Sequence, residues 1–419
     1  MTALLALAAI QLLGWHRGEP VGQISLAVMP FAVPGGGGEA TALADVVGED
    51  LTYNLARIPG ARVVSRASTQ GYAAHGADLR LVGRELNIRY AVVGSLERLA
   101  DGLTLRLQLI EVESGTLRWS ERIDATLAEL HLTERRIAER VAHALHMTLA
   151  EAESGRVSRA APAHPAATDF ALQAWAAWNR GTATDVAQAR KLAEQALALD
   201  AGNVMAWKTM ASWHLRARLS LSIPPADAEA GAVAAADRAM ALDPEHPLVH
   251  TVWGASRVLR GRYAEGIDAL EQEVRSNPSH PVAYSYLAVA HLMTGEPQRA
   301  IERLQQALSI SPRDPRRSRF ERLLAIGLLH AGEPALALNH ARAATSAPLV
   351  DRSAWAALAA SCLLAGDRAC AQDSATRLRQ LWPQVSLDKI EQEWPPATRA
   401  FEQQHQTYVQ ALGQALALP

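Results

Sequence analysis

Cys362 and Cys370 carry all the thiol chemistry of this chain, and they flank Gly366 eight residues apart. That glycine separates two helical patterns, so the sulfurs sit on consecutive helices and within reach of each other. Two readings stand. In an oxidising compartment the pair closes as a disulfide across the turn, a gain of roughly 2–3 kcal/mol for so short a loop. In a reducing one they pack as two small apolar thiols. Gly35, Gly36, Gly37 and Gly38 lie between a strand-like run and a helical one, where a phosphate loop would lie. Glu39-Ala40 follows them, however, in place of the Lys-Ser or Lys-Thr such a loop needs, so a plain βα connection is expected. His246, His250, His280 and His291 supply no set of three or four converging metal ligands, and His291 takes a helix-packing position. No Ser or Cys has the neighbours of an activated nucleophile. The expectation is a non-enzymatic chain with no catalytic residue, cofactor or metal. Arg313, Arg316, Arg317 and Arg319 form a basic cluster without interleaved aromatics. It reads as a solvated turn, with no direct nucleic-acid binding expected.

Composition bounds the rest. A chain of 419 residues has a prior of two to three domains, and 49% hydrophobic against 20% charged residues is ample for buried cores. Lys and Arg number 41 against 43 Asp and Glu, a net charge of -2, which gives no general pull toward nucleic acid or an anionic membrane.

The elements that position these residues are helix pairs. Between Pro281 and Pro312, Tyr284, Leu287, Ala288 and His291 share one helix face, Gly295 stands where a left-handed closing residue is needed, and Ala300, Leu304 and Ala307 mark a second helix. Asp243-Pro244, Asn277-Pro278 and Ser311-Pro312 recur every 34 residues, and Trp382-Pro383 closes a later unit. Further copies run through Trp355, Leu358, Ala359, Gly366, Ala371 and Ala375, through Leu324, Ala325, Gly332 and Ala337, and through Trp253, Gly254, Gly261 and Gly266. Trp207, Met210 and Ala211 open a copy stretched by an insert at 219–227, and Ala189, Ala193 and Ala196 mark a weaker first one. A helix pair cannot bury its stripe alone, so about six stacked copies form one array over residues 168–393.

This pattern resembles the tetratricopeptide repeat (TPR). The resemblance implies a curved all-α superhelix whose first helices line a concave groove that binds a peptide or protein. Carried over position by position, it gives Trp178, Lys208, Ser212, Thr251, Ser285, Arg319 and Arg322 as groove residues. Lys208, Arg319 and Arg322 would suit a carboxylate or acidic segment. Residues 394–419 offer a last helix with Phe401, Tyr408, Leu412 and Leu416, a solvating cap for the final repeat.

Residues 21–153 read in the order β-α-β-α-β-β-β-α, an α+β N-terminal domain ahead of the array, with a last helix over 127–152 and an Ala/Pro/Ser-rich linker over 154–167. Strand pairs at 90–99, 103–113 and 116–124 turn at Asp101-Gly102 and Ser114-Gly115. The stretches AVMPF, EDLTYNLARIPGARVVSR and VGRELNIRYAVVGSLERLADGLTLRLQLIEVESGTLRWSERID look like the TolB-amino-terminal-like (FlgO-like) domain. That domain precedes TPR arrays in CadC-type membrane-bound winged-helix regulators and class III adenylate cyclases. In those families an output domain and one membrane span lie on the N-terminal side. Residues 1–20 open with an apolar run that as a helix spans about 20 Å, short of the ~30 Å hydrocarbon core. They read as the tail of a membrane anchor. The resemblance implies inner-membrane attachment with both domains periplasmic, in a sensory or protein-binding role. A cytoplasmic TPR scaffold is the alternative.

Overall fold

Alternation in the first strands decides which helix covers which face of the sheet. The computed structural model describes residues 24–418 apart from 58–60, 73–77, 100–101, 126–164, 245–247, 348–349, 351 and 395–397. The anchor at 1–20, the helix over 127–152, most of the linker and His246 lie outside the described residues. In β1 (Ile24–Val28), Leu26 and Val28 point to one side and Ala27 to the other. The first side packs on Leu43, Val47, Leu51 and Leu55 of α1 (Gly38–Ala56), and the second on Val82 and Leu86 of a short helix, α3 (Leu79–Leu86). Between them lie β2 (Ala61–Val64) and a single turn, α2 (Arg66–Thr69). Then β3 (Tyr90–Leu99), β4 (Gly102–Glu111) and β5 (Thr116–Ala125) follow as a meander. The five strands run in the order β2-β1-β3-β4-β5, parallel on the β2-β1-β3 side and antiparallel beyond. Leu103, Leu105, Leu107 and Leu109 of β4 all face the α1 side. The predicted α+β domain is present.

Six helix pairs follow: α4 (Pro165–Arg180) with α5 (Ala183–Leu199), α6 (Val204–Ser220) with α7 (Pro225–Leu242), and α8 (Val249–Leu259) with α9 (Tyr263–Ser276). The next are α10 (Pro281–Met293) with α11 (Pro297–Ile310), α12 (Arg317–His330) with α13 (Pro334–Thr345), and α14 (Ser353–Leu364) with α15 (Arg368–Leu381). The short α16 (Leu387–Glu391) and α17 (Arg399–Leu416) complete the described chain.

One closing geometry recurs between partners. Gly295 takes φ 80°, and the next amide, Glu296, donates back to the His291 carbonyl at 2.8 Å, which satisfies an orphan carbonyl at the end of α10. The same six-residue closure ends α8, α12 and α14 at Gly261, Gly332 and Gly366. Second helices end where the residue before each proline is extended, at Asp243, Asn277, Ser311 and Trp382. Within a pair the axes cross closely at small residues. A Cβ on Gly266 would stand 2.9 Å from the carbonyl oxygen of Gly254, so α8 and α9 touch backbone to backbone.

Successive first helices α4, α6, α8, α10, α12 and α14 each pack on the next, whereas among the described residues no second helix packs substantially on the following second helix. The array therefore curves with its first helices on the inside. Alanine dominates this core: Ala189, Ala211, Ala232, Ala288, Ala300, Ala337, Ala359 and Ala375 are all fully buried.

Candidate functional site

All seven groove residues predicted from the sequence stand on first helices, but the inner face they share is not vacant. At its start the α/β domain covers it. Trp178 packs in a small cluster with Trp175, Leu248 and Val46, the last from α1. The Lys208 ammonium, almost fully buried, lies 3.6 Å from the Trp175 ring centroid, a cation–π contact away from water. Trp175 Nε1 donates to Glu49 Oε2 at 2.5 Å, and Asn179 Nδ2 donates to the same oxygen at 3.3 Å. Ser212 is buried on α6. Further along, Thr251 Oγ1 meets His280 Nδ1 at 3.1 Å, and Ser285 Oγ donates to the Val282 carbonyl within its own helix. Arg319 lies over the Tyr286 ring at 4.7 Å and is half-buried, while Arg322 is buried.

The far half of the inner face is covered by α17. Ser285 shares its face of α10 with Val289 and Leu292, and Arg322 shares its face of α12 with Ile326 and Leu329, at i+4 and i+7. These four apolar residues are buried in one core with Phe401, Tyr408 and Leu412 of α17. Sequence reasoning made α17 a cap for the final repeat. It does pack on both helices of that repeat, α14 and α15, and it also crosses α12 and the end of α10. At its start the Thr398 hydroxyl donates to the Met293 carbonyl, and Gln404 Nε2 donates to the Gly295 carbonyl at 3.2 Å. At its end Arg379 donates to the Leu416 carbonyl. In the middle His405 Nδ1 and His330 Nε2 lie 2.9 Å apart, and the His405 ring stacks on Phe401. Burial pushes His330 down to about 4 and His405 to about 3, the neighbouring ring adding to the latter. Beside α17 a recess of about 750 Å³ remains, walled by Glu391, Trp394, Phe401, Glu402 and His405.

The segment before α17 ties the second pair of the array to the last. Arg218 of α6 donates through Nη1 to the Gln392 carbonyl at 2.6 Å and through Nη2 to the Trp394 carbonyl at 2.9 Å. Arg352 at the head of α14 donates to the Ser220 carbonyl at 2.9 Å, and Ser353 Oγ donates to the Glu393 carboxylate.

The arginine cluster keeps part of the solvation expected of it: Arg316 and Arg317, 39% and 40% exposed, pair with Asp314 and Glu321 beside them. Arg313, by contrast, turns to the seam between the two domains. Arg313 donates to Tyr72 Oη at 2.8 Å and pairs with Glu85, both in the α/β domain. Its backbone amide donates to Ser68 Oγ at 3.0 Å. Ser311 Oγ lies 2.7 Å from Ser65 Oγ and donates to Asp314 at 2.9 Å, and Asp314 is held by the Nε of Arg316 at 3.0 Å. Ser279 Oγ donates to the Val63 carbonyl, and the Ser65 amide to that of Ile310. A cavity of about 70 Å³ is left at this seam, lined by Glu49, Arg66, Trp175, His280 and Arg316 among others. Its charges are met from within: Arg66 pairs with Asp45 at 2.8 Å, and burial raises the Asp45 carboxyl although Arg66 opposes it.

His291 is buried and meets Glu296 at 2.8 Å, the packing role expected of it. Gly35, Gly36 and Gly37 adopt positive φ in the connection from β1 to α1 with open space around them. Cys362 and Cys370 face each other across the Gly366 turn with Cα atoms 5.7 Å apart and their sulfurs in bonding contact. Alkylation under native conditions followed by mass measurement is expected to find no free thiol in protein taken from an oxidising compartment. Two alkylated cysteines would sink the bridge.

Residues 258–325 match the tetratricopeptide repeat family. A protein of Rhizobium meliloti (strain 1021) named "Putative adenylate cyclase 3" is 29% identical over 178 residues, which are 42% of this chain and 30% of that protein. The match thus spans less than a third of that relative's length. Among solved structures, the type IV pilus biogenesis factor PilW aligns with TM-score 0.41 and 19% identity over 55% of this chain and all of PilW. Pseudomonas aeruginosa PilF aligns with TM-score 0.39 and 18% identity, over 54% of this chain and 96% of PilF. The helical part of this chain is an array of tetratricopeptide-like helix pairs, of which residues 258–325 match the repeat family, set against a five-stranded α/β domain.

Proposed function

We propose that this chain is the recognition part of a bacterial membrane-associated signalling protein. It performs no reaction itself and takes a peptide or protein segment on the inner face of its repeats. The observation that carries this reading is the inner face itself: it is preformed and apolar, and it already holds an amphipathic helix. The hydrogen-bonded seam at Ser65, Ser311 and Arg313 supports a relay, since a change in array curvature would be felt at the sheet. The α/β domain is read as TolB-amino-terminal-like, both domains as periplasmic, and the N-terminal residues as part of an inner-membrane attachment. The resemblance to a cyclase-named protein favours one second reading. In it, the same two domains serve an adenylate cyclase or CadC-type regulator whose output domain lies outside this sequence.

A photoreactive residue at Arg319, partly exposed on the inner side, tests the recognition reading in living cells. A covalent product larger than the chain is expected on irradiation. No intermolecular product at Arg319 or at Trp178 would overturn it. Protease shaving of spheroplasts tests the compartment: cleavage of a C-terminal tag once the outer membrane is opened is expected. Protection until the inner membrane is lysed would favour the cytoplasmic scaffold.

A further inference from the structure

Along α17, Phe401, His405, Tyr408 and Leu412 recur at steps of four, three and four, and all four are buried, whereas Glu402, Gln403, Gln406 and Gln410 are exposed. That is a heptad stripe, the pattern one amphipathic helix presents to a partner helix. The surface receiving it belongs to three different repeats, and it is the face that the repeat pattern assigns to a ligand. The fit is incomplete. His405 Nε2, Gln404 Oε1 and His330 Nδ1 are buried at the contact with no hydrogen-bond partner among the described residues, each a costly omission. A recess of about 750 Å³ lies beside the same helix, between it and the segment at Glu391 and Trp394. A helix that leaves polar atoms unmet and space beside it is replaceable by one that meets them.

We propose that α17 is a displaceable occupant of the inner face, and that the surface of α10, α12 and α14 beneath it docks an amphipathic helix of a partner protein with the same heptad stripe. The inference rests on the recognition reading above and names the class of ligand it would take. Displacement needs no change in the array: Val289, Leu292, Ile326 and Leu329 exchange one apolar helix for another. Until a partner arrives, α17 keeps that surface from water and from adventitious apolar segments.

The test uses the full chain and a fluorescein-labelled synthetic peptide of residues 398–418. Leu412→Asp places a carboxylate in the buried stripe and releases α17 while leaving α10, α12 and α14 unaltered. The peptide is expected to bind this variant at least tenfold more tightly than the wild type, in which the surface is already filled. A milder variant, Thr398→Val with Gln404→Ala, removes two hydrogen bonds to the end of α10 and is expected to fall between them. Hydrogen exchange over residues 249–345 reports that the array stays folded. Equal peptide affinity for the wild type and both variants, with the array protected, would overturn the proposal. So would a wild-type chain that dimerises at micromolar concentration by exchanging α17, because the occupant would then be a second copy. Peptide binding as expected, with no product at Arg319 in cells, would leave the displaceable helix standing and remove the recognition reading instead.

Discussion

Asp314→Ala is expected to lower the midpoint of thermal unfolding by about 6–12 °C. Its side chain is fully buried and accepts from Ser311 Oγ at 2.9 Å, from the Arg316 amide at 2.8 Å and from the Arg316 guanidinium at 3.0 Å. Truncation leaves the Ser311 hydroxyl and the partly exposed Arg316 guanidinium without their buried acceptor, a loss of about 3 kcal/mol. For a unit of this size roughly 2–4 °C follow each kcal/mol. Ser311 also meets Ser65 and Ser68, so the damage should extend to the seam, and faster hydrogen exchange at residues 65–69 is the signature to seek. The neighbouring Arg313–Glu85 pair makes the contrast: its side chains are 50% and 32% exposed, and Arg313→Ala should cost under about 1 kcal/mol. A midpoint for Asp314→Ala within 2 °C of the wild type, taken as about the resolution of such a comparison, would show that the seam is not anchored there.

Acid should loosen α17. In the docked state His330 lies at about 4 and His405 at about 3, both mainly through burial, whereas an undocked imidazole returns to 6.5. Docking therefore holds its full strength above pH 6.5 and loses it as the pH falls through 6.5 toward 4. At pH 5 each ring kept neutral opposes docking by about 2 kcal/mol, so the two together weaken it by roughly 3–4 kcal/mol. Among the described residues no neighbouring group relieves this. The one hydrogen bond between the rings uses His330 Nε2 and His405 Nδ1, and the outer nitrogens have no acceptor among the described residues. Glu391 and Glu402 border the recess beside His405, but neither acts on either ring strongly enough to raise it. Trp394, Phe401 and Tyr408 complete the surroundings as uncharged rings. Hydrogen exchange over Arg399–Leu416, corrected for its intrinsic pH dependence, should rise steeply between pH 6.5 and 5. His330→Leu with His405→Phe keeps the apolar contact without a titrating group and should flatten that rise. An unchanged pH profile in the double variant would assign the acid response elsewhere.

The sequence by itself determined the units of this protein. Alternation around Leu26 and Val28, turn residues such as Gly115, and the recurrence of Ala, Gly and Xaa-Pro every 34 residues are local instructions: each acts within one helix pair or hairpin. Backbone closure at Gly295 and the extended residue before Pro312 need no distant partner, so they are legible from the chain alone. The facing of Cys362 and Cys370 was legible for the same reason, because a tight turn dictates it.

Only the tertiary structure decided what lies on the inner face. Phe401, Tyr408 and Leu412 announce an amphipathic helix, but a heptad stripe fits a cap on the last repeat as well as a seat across three of them. The choice depends on array curvature, which sums small rotations over six pairs, and on the reach of residues 392–394 back to Arg218. Arg313 misled for a similar reason. Its carboxylate and hydroxyl partners Glu85 and Tyr72 stand more than two hundred residues away in sequence, and no periodicity within the repeats records a contact made by another domain.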